Sequence, residues 1–258
     1  MNYGIFIIIT IIQAILTLTH WFLYKSLVFF YNPTSTAILW SLRAGIGILS
    51  ITFLVATIII HNSDETGWQY FYEAAAGWLG ILHWLVLASV VAWIIYIISL
   101  YFGINLTGKI YYSILLGLGL IMSIYGFYNA FNIRVTKLNI ALPNLPPVWQ
   151  GTTIAFASDL HLGAIYGESF ASLVVKTINA AKPAIILIGG DVYDSAKVNL
   201  EKIISPFREF SAPQGIYFIT GNHEEFGDNN PYLKALKTTN VTVLDNKMVN
   251  LNGLQIAG

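Results

Sequence analysis

The sequence predicts a four-helix transmembrane bundle followed by an α/β domain built on a parallel sheet. Three observations predict it. Charge is segregated: residues 1–132 hold three basic residues (Lys25, Arg43, Lys109) and three acidic ones (Asp64, Glu65, Glu73), while the remainder holds ten of each. Four long apolar stretches fill the charge-poor part. Beyond it, short apolar runs alternate with segments of helical periodicity, as in a sheet wrapped by helices. The apolar fraction of 56% and mean hydropathy of +0.65 lie above the globular range, and the segregation shows where the excess resides.

The four stretches cover about residues 4–24, 36–60, 78–101 and 110–131. Each reaches the roughly 20 residues needed to cross a hydrocarbon core of about 30 Å. Backbone polar groups have no water partner there, so the spans should be helical. The first lacks a basic leader and a small-residue cleavage site, which argues against a cleaved signal. Trp21, Trp40, Trp68, Trp78 and Tyr101 cluster near the expected ends, where amphipathic rings favour the headgroup zone. An even number of spans puts the N-terminus and the charged half on one side. Lys25, Arg43 and Lys109 mark the opposite side and Arg134 and Lys137 the near one, a count that leans toward an extracytoplasmic soluble half. Ionisable residues inside spans are functional candidates by default, but here a structural role is expected. Arg43 can snorkel from a helix end, His20 adjoins Trp21, and a hydrogen bond to a neighbouring helix would satisfy His83.

Residues 133–151 read as a linker. Alternation over 132–140 suggests an edge strand, and Pro143, Pro146 and Pro147 make a stiff connection near the domain boundary. The soluble domain, 152–258, starts with a short apolar strand at 153–157. A helix comes next at about 168–181, with Phe170, Leu173, Val174 and Ile178 on one face. The continuous apolar run 184–188 suits a strand buried on both faces. Leu200, Ile203, Ile204 and Phe207 have helical spacing, in a helix that Pro206 should kink or end. A third strand is expected at 216–220, and Pro231 suits the first position of a shorter helix. A strand at 241–244 and an Asn252-Gly253 hairpin turn complete the pattern. The βαβαβ order implies a parallel sheet with ligands beyond the carboxyl ends of its strands.

Three polar motifs sit at that edge: Ser158-Asp159-Leu160-His161, Gly189-Gly190-Asp191-Val192-Tyr193-Asp194 and Gly221-Asn222-His223-Glu224. Two carboxylates, two imidazoles and an amide from three consecutive strand–loop units suit a pair of divalent cations. Such pairs sit about 3.5–4 Å apart, clamp a phosphate and activate a bound water. A bridging carboxylate holds both ions economically, and Asp191, on the tight Gly189-Gly190 loop, is the best candidate. Asp159 and His161 are two apart, so both can face one metal only if the backbone bends after the strand. Asn222 offers a neutral oxygen, and His223 can donate a proton or stabilise charge. Helix capping is the alternative reading for Asp194 and in part for Asp159, and Glu224 and Glu225 read as a solvated acidic turn ahead of electrostatic tuning of the loop. Zero net charge without a concentrated Lys/Arg surface argues against nucleic acid. The absence of cysteine removes thiolate catalysis and disulfides.

The segment from about Ile133 resembles the calcineurin-like metallophosphoesterase superfamily, particularly membrane-associated bacterial members with an N-terminal helical bundle. The matching residues are Asp159 and His161, Gly190-Asp191 with Asp194, and Gly221-Asn222-His223-Glu224. The resemblance implies an α/β/β/α sandwich and a bacterial plasma-membrane location. It implies two divalent ions (Mn, Fe, Zn, Ni or Mg) and hydrolysis of a phosphomonoester, phosphodiester or pyrophosphate. Asp159 and His161 would bind the first metal, Asp191 would bridge, Asn222 would bind the second, His223 would act on the phosphate, and Asp194 would steady the ligands. The family pattern continues with another His and a Gly-His-x-His motif, and no histidine follows His223. The chain therefore reads as the front portion of a catalytic domain, inactive by itself. Anchoring favours a lipid-linked phosphate as substrate, with the bilayer as the other partner, and a soluble nucleotide or sugar phosphate is the rival. A non-catalytic sensor or scaffold is the alternative class, separated by metal occupancy. A transporter is disfavoured by the scarcity of polar residues within the spans.

Overall fold

The computed structural model describes residues 3–63, 66–194, 198–224 and 231–258. The chain divides into two compact units, Met1–Asn132 and Ile133–Gly258. Glu225, one of the two acidic residues expected to form a solvated turn, lies outside the described residues.

The first unit is four helices: α1 (Tyr3–Tyr31), α2 (Thr36–Asn62), α3 (Thr66–Tyr101) and α4 (Gly108–Ala130). All four are long and apolar enough to cross a membrane, with mean hydropathy between 1.7 and 2.4. The expected third span is only the latter part of α3, whose 36 residues extend about 54 Å at 1.5 Å per residue. Between helices immersed in lipid, association rests on close packing and polar contacts. Both occur here. A Cβ on Gly119 of α4 would lie 3.1 Å from the Trp84 carbonyl oxygen of α3, so the two backbones nearly touch. Gln13 Nε2 donates to the Ser50 carbonyl at 2.9 Å, Trp93 Nε1 to Ser26 Oγ at 3.0 Å, and Ser89 meets the Tyr112 hydroxyl at 2.8 Å.

The intramembrane histidines exchange the roles that the sequence suggests. His20 is buried; its Nδ1 donates to the Leu16 carbonyl at 2.7 Å and its Nε2 accepts from Trp78 Nε1 at 2.9 Å. Both ring nitrogens have partners, a structural role. His83 is the exposed one, edge-on to Trp84 at 5.5 Å, rather than bonded to a neighbouring helix as expected. Arg43 donates to the Tyr24 hydroxyl at 2.8 Å and lies over the Trp40 ring.

In the second unit, strands β1 (Ile154–Ala157), β2 (Ile185–Ile188), β3 (Ile216–Phe218) and β4 (Thr242–Val243) form one parallel sheet in sequence order. Each crossover therefore moves the chain one strand in the same direction. Right-handed connections then put α5 (Glu168–Ala180), α6 (Leu200–Ile204) and α7 (Pro231–Leu236) on one face. Their core joins Ile186, Ile188 and Phe218 of the sheet to Val175, Ile204, Phe207 and Leu236. Ile185 and Ile186 are both fully buried, as a strand covered on two faces requires. On β1 the opposite face is open, with Ile154 and Phe156 exposed.

Three local details show sequence acting directly. Helix α6 stops at Ile204 and continues as a 3₁₀ turn, Ser205–Glu209, with Pro206 in its first turn. There the missing N–H costs nothing. The buried stripe of α5 is Ala171, Val174 and Val175, whereas Leu173, expected on that face, is 41% exposed; small Ala171 faces the sheet and the arc is rotated by part of a turn. Asn252 (φ 49°) and Gly253 (φ 90°) join the antiparallel strands β5 (Met248–Leu251) and β6 (Leu254–Ala257), the two positive φ values a tight hairpin needs. Trp149 Nε1 donates to the Leu251 carbonyl at 2.8 Å and pins this hairpin to the 3₁₀ turn Pro147–Trp149.

The expected edge strand over 132–140 is not a strand. No described strand pairs with it, and Val135, Leu138 and Ile140 are exposed. Alternation describes a half-buried ladder residue by residue, but it cannot supply the neighbouring strand.

Candidate metal centre

The three motifs leave the carboxyl ends of β1, β2 and β3 in turn. The bend demanded between Asp159 and His161 is present in the backbone: both take left-handed φ values, 54° and 43°, and Asp191 takes 48°. Few non-glycine residues adopt this region, and such strain clusters at functional sites. The first loop then runs beside the second. Asp159 N–H donates to the Gly190 carbonyl at 3.1 Å, His161 N–H to Asp191 at 3.0 Å and Leu162 N–H to Val192 at 2.7 Å.

Glycine permits the second and third loops to approach. Gly190 has φ +87°, and a Cβ there would lie 2.5 Å from the Gly221 nitrogen and 2.8 Å from its Cα. A Cβ on Gly221 would overlap the Asp191 carboxylate. Backbone therefore packs on backbone at the point where Asp191 and the Asn222-His223 pair must meet.

His161, Asp191 and His223 converge there. One ligand atom from each lies within 4.8 Å of the others, and all three residues are half-buried. The imidazoles of His161 and His223 are edge to face, centroids 4.7 Å apart at 80°. Asp191 Oδ1 accepts the His223 backbone N–H at 3.0 Å, which orients the carboxylate. This mixed nitrogen and oxygen donor set suits Mn, Fe, Zn or Ni better than a hard all-oxygen cage would. Asp159 stands two residues beyond the end of β1 and is not part of that 4.8 Å group. Asn222 occupies the turn between Gly221 and His223. Asp194 is half-buried; its N–H donates to the Leu162 carbonyl at 2.8 Å, and its Cβ would be 2.6 Å from a Cβ added to Gly163. Asp194 does not cap the next described helix, whose N-cap is Asn199.

Glu224 is the residue that sequence reasoning missed. It is fully buried, not a solvated acid. Its Oε2 accepts from Asp191 N–H at 2.8 Å and Gly221 N–H at 2.9 Å, and its Oε1 from Val192 at 2.8 Å and Tyr193 at 3.2 Å. A signal was available: a left-handed residue beside a glycine points successive N–H groups one way, and buried N–H groups demand an acceptor. Tyr193 lies beneath, also fully buried, its hydroxyl donating to the Tyr232 carbonyl at 3.3 Å. Burial, and then the charge of Glu224, push that hydroxyl up, so it stays protonated. Tyr232 is raised likewise by burial, then by Asp194 and Glu224.

Residues 152–256 match the family of calcineurin-like phosphoesterases. Relatives include a "Transmembrane protein with metallophosphoesterase domain" of Bos taurus, 31% identical over 134 residues (51% of this chain, 30% of that protein). An "Uncharacterized metallophosphoesterase" of Helicobacter pylori is 30% identical over 105 residues (41% of this chain, 28% of that protein). One of Aquifex aeolicus is 31% identical over 144 residues (55% and 54%). The chain thus spans about three tenths of the first two relatives and about half of the third. No solved structure matches it significantly. A parallel sheet with its polar motifs at the carboxyl edge, a His–Asp–His cluster and these matches agree: residues 152–256, which follow four long apolar helices in the sequence, are similar to calcineurin-like phosphoesterase domains.

Proposed function

We propose that this protein is a membrane-anchored, metal-dependent phosphoesterase that hydrolyses a phosphomonoester, phosphodiester or pyrophosphate by a two-metal mechanism. The observation that carries the reading is the convergence of His161, Asp191 and His223, from three separate loops, within 4.8 Å at one sheet edge. Asp159 and His161 would hold one divalent ion and Asn222 the other, with Asp191 placed to serve both. When bound, such ions offset phosphate charge and lower the pKa of a coordinated water. The chain's own groups do the rest. The Asp191 carboxylate is held in one orientation by the His223 N–H, and the His223 imidazole, packed on His161, donates to a phosphate oxygen or protonates the leaving oxygen. Asp194 fixes the second loop against the first through its backbone bond to Leu162.

Four long apolar helices on the same chain favour a substrate presented at the bilayer, a lipid-linked phosphate or pyrophosphate. The test is phosphate release by the protein reconstituted in lipid nanodiscs with Mn²⁺. A lipid phosphomonoester, a lipid pyrophosphate and the soluble p-nitrophenyl phosphate are the substrates. Faster release from a lipid-borne substrate is expected, abolished by Asp191→Asn. Preference for the soluble ester would replace the substrate reading, and turnover surviving Asp191→Asn would overturn the role of Asp191.

A further inference from the structure

We infer that Glu224 is a positioning residue for the metal centre, a single buried carboxylate that sets the distance between the Asp191 loop and the Asn222-His223 turn. The inference rests on the metal-centre reading and goes beyond it, because Glu224 is not in the ligand cluster. A carboxylate has about four lone-pair sites, and Glu224 gives four of its acceptances to backbone N–H groups, those of Asp191, Val192, Tyr193 and Gly221. Three belong to the loop that carries Asp191, and the fourth belongs to the residue immediately before Asn222. Oε2 is the hinge: the same oxygen accepts from Asp191 at 2.8 Å and from Gly221 at 2.9 Å, so it joins the two loops where they pass closest.

The geometry explains why an acid stands there. Left-handed Asp191 follows left-handed Gly190 (φ 48° and 87°), and this turns three successive N–H groups toward one point. Such a concavity binds an anion. Hydrogen bonds from amides to a charged carboxylate are about twice as strong as neutral ones. Glu224 reaches back from its own turn, closed by its N–H to the Gly221 carbonyl at 3.2 Å, and fills the concavity with an internal anion. The ligand-bearing loops are then ordered before any ion arrives.

Glutamine tests this with little change of shape. Glu224→Gln replaces one acceptor oxygen by an NH₂ that faces N–H donors. Amide hydrogen exchange is read first, on the full chain in detergent without metal. Exchange at residues 191–193 and 221 should quicken at least tenfold, while exchange in β2 and α5 stays as in the wild type. Mn²⁺ affinity by titration calorimetry should fall tenfold or more. Tyr193→Phe is the control: it removes the hydroxyl bond to Tyr232 from the same loop, and its Mn²⁺ affinity should stay within twofold. Glu224→Asp keeps the charge on a shorter arm and should fall between glutamine and wild type; it replaces the glutamine variant if that does not fold. Wild-type affinity in Glu224→Gln, or equal losses in Glu224→Gln and Tyr193→Phe, would overturn the positioning role. A wild type that binds no Mn²⁺ would overturn the metal centre instead, and unchanged exchange at the four amides would overturn the clamp without reference to metal.

Discussion

Gly190→Ala is the perturbation whose size can be worked most directly. Two effects add at this position. A φ of +87° costs an L-residue about 1–2 kcal/mol. The new Cβ would also stand 2.5 Å from the Gly221 nitrogen and 2.9 Å from the Thr220 carbonyl carbon, where carbon contacts normally settle at about 3.5–4.0 Å. The third loop must retreat by roughly 1 Å, and overpacking of this kind costs about 1–3 kcal/mol. The total is about 2–5 kcal/mol. Gly151→Ala isolates the first effect, because Gly151 has φ +73° and no atom within 4 Å of the new Cβ. Both variants lose the same unfolded-state entropy of glycine, so that contribution cancels in the comparison. Pulse proteolysis in urea, on the chain in detergent, should place Gly190→Ala about 1–3 kcal/mol below Gly151→Ala. The retreat also carries Asn222 and His223 away from Asp191, so Mn²⁺ affinity should fall at least tenfold in Gly190→Ala and stay unchanged in Gly151→Ala. Equal stabilities within about 0.5 kcal/mol would refute the close approach of the two loops.

The two intramembrane histidines should respond oppositely to leucine. His20→Leu strands the Trp78 indole N–H and should cost about 1–2 kcal/mol in an SDS titration of the helical unit, while exposed His83→Leu should stay within about 0.5 kcal/mol. Phe207, on the 3₁₀ turn, is fully buried in the core that joins helices and sheet. Phe207→Ala should therefore cost about 3–5 kcal/mol by pulse proteolysis, with no change in the bundle.

Much of the fold was legible because the relevant signals are local. Pro206 ends α6, Pro231 opens α7, and Asn252-Gly253 makes the hairpin, each through its own backbone preference. Apolar runs of strand length separated by helical periodicity then imply the parallel sheet, and the carboxyl edge is set by topology. The bend between Asp159 and His161 was expected from the sequence, where the two residues, read as ligands of one ion, call for a turn after the strand. The features that sequence did not show depend on tertiary neighbours. The alternation at 132–140 lacks a paired strand among those described. His20 and His83 exchange roles because helices that are apolar all round carry no stripe to fix their rotation. Glu224 reads as a surface acid because composition says nothing about a carboxylate folding back onto N–H groups more than thirty residues away in sequence. The paired glycines, Gly190 and Gly221, were the visible trace of that close approach.

Asp191 is the residue on which the account turns, and Asp191→Asn is well suited to test it. Asparagine keeps an Oδ1 that can accept the His223 N–H, so the loop should hold its shape while the ligand loses its charge. The most direct measurement is Mn²⁺ binding to the full chain by titration calorimetry, with wild type and Asp191→Asn in parallel. Binding is expected in the wild type, with an affinity at least a hundredfold weaker in the variant and unchanged secondary structure. Equal affinities in the two proteins, or no binding in either, would contradict it.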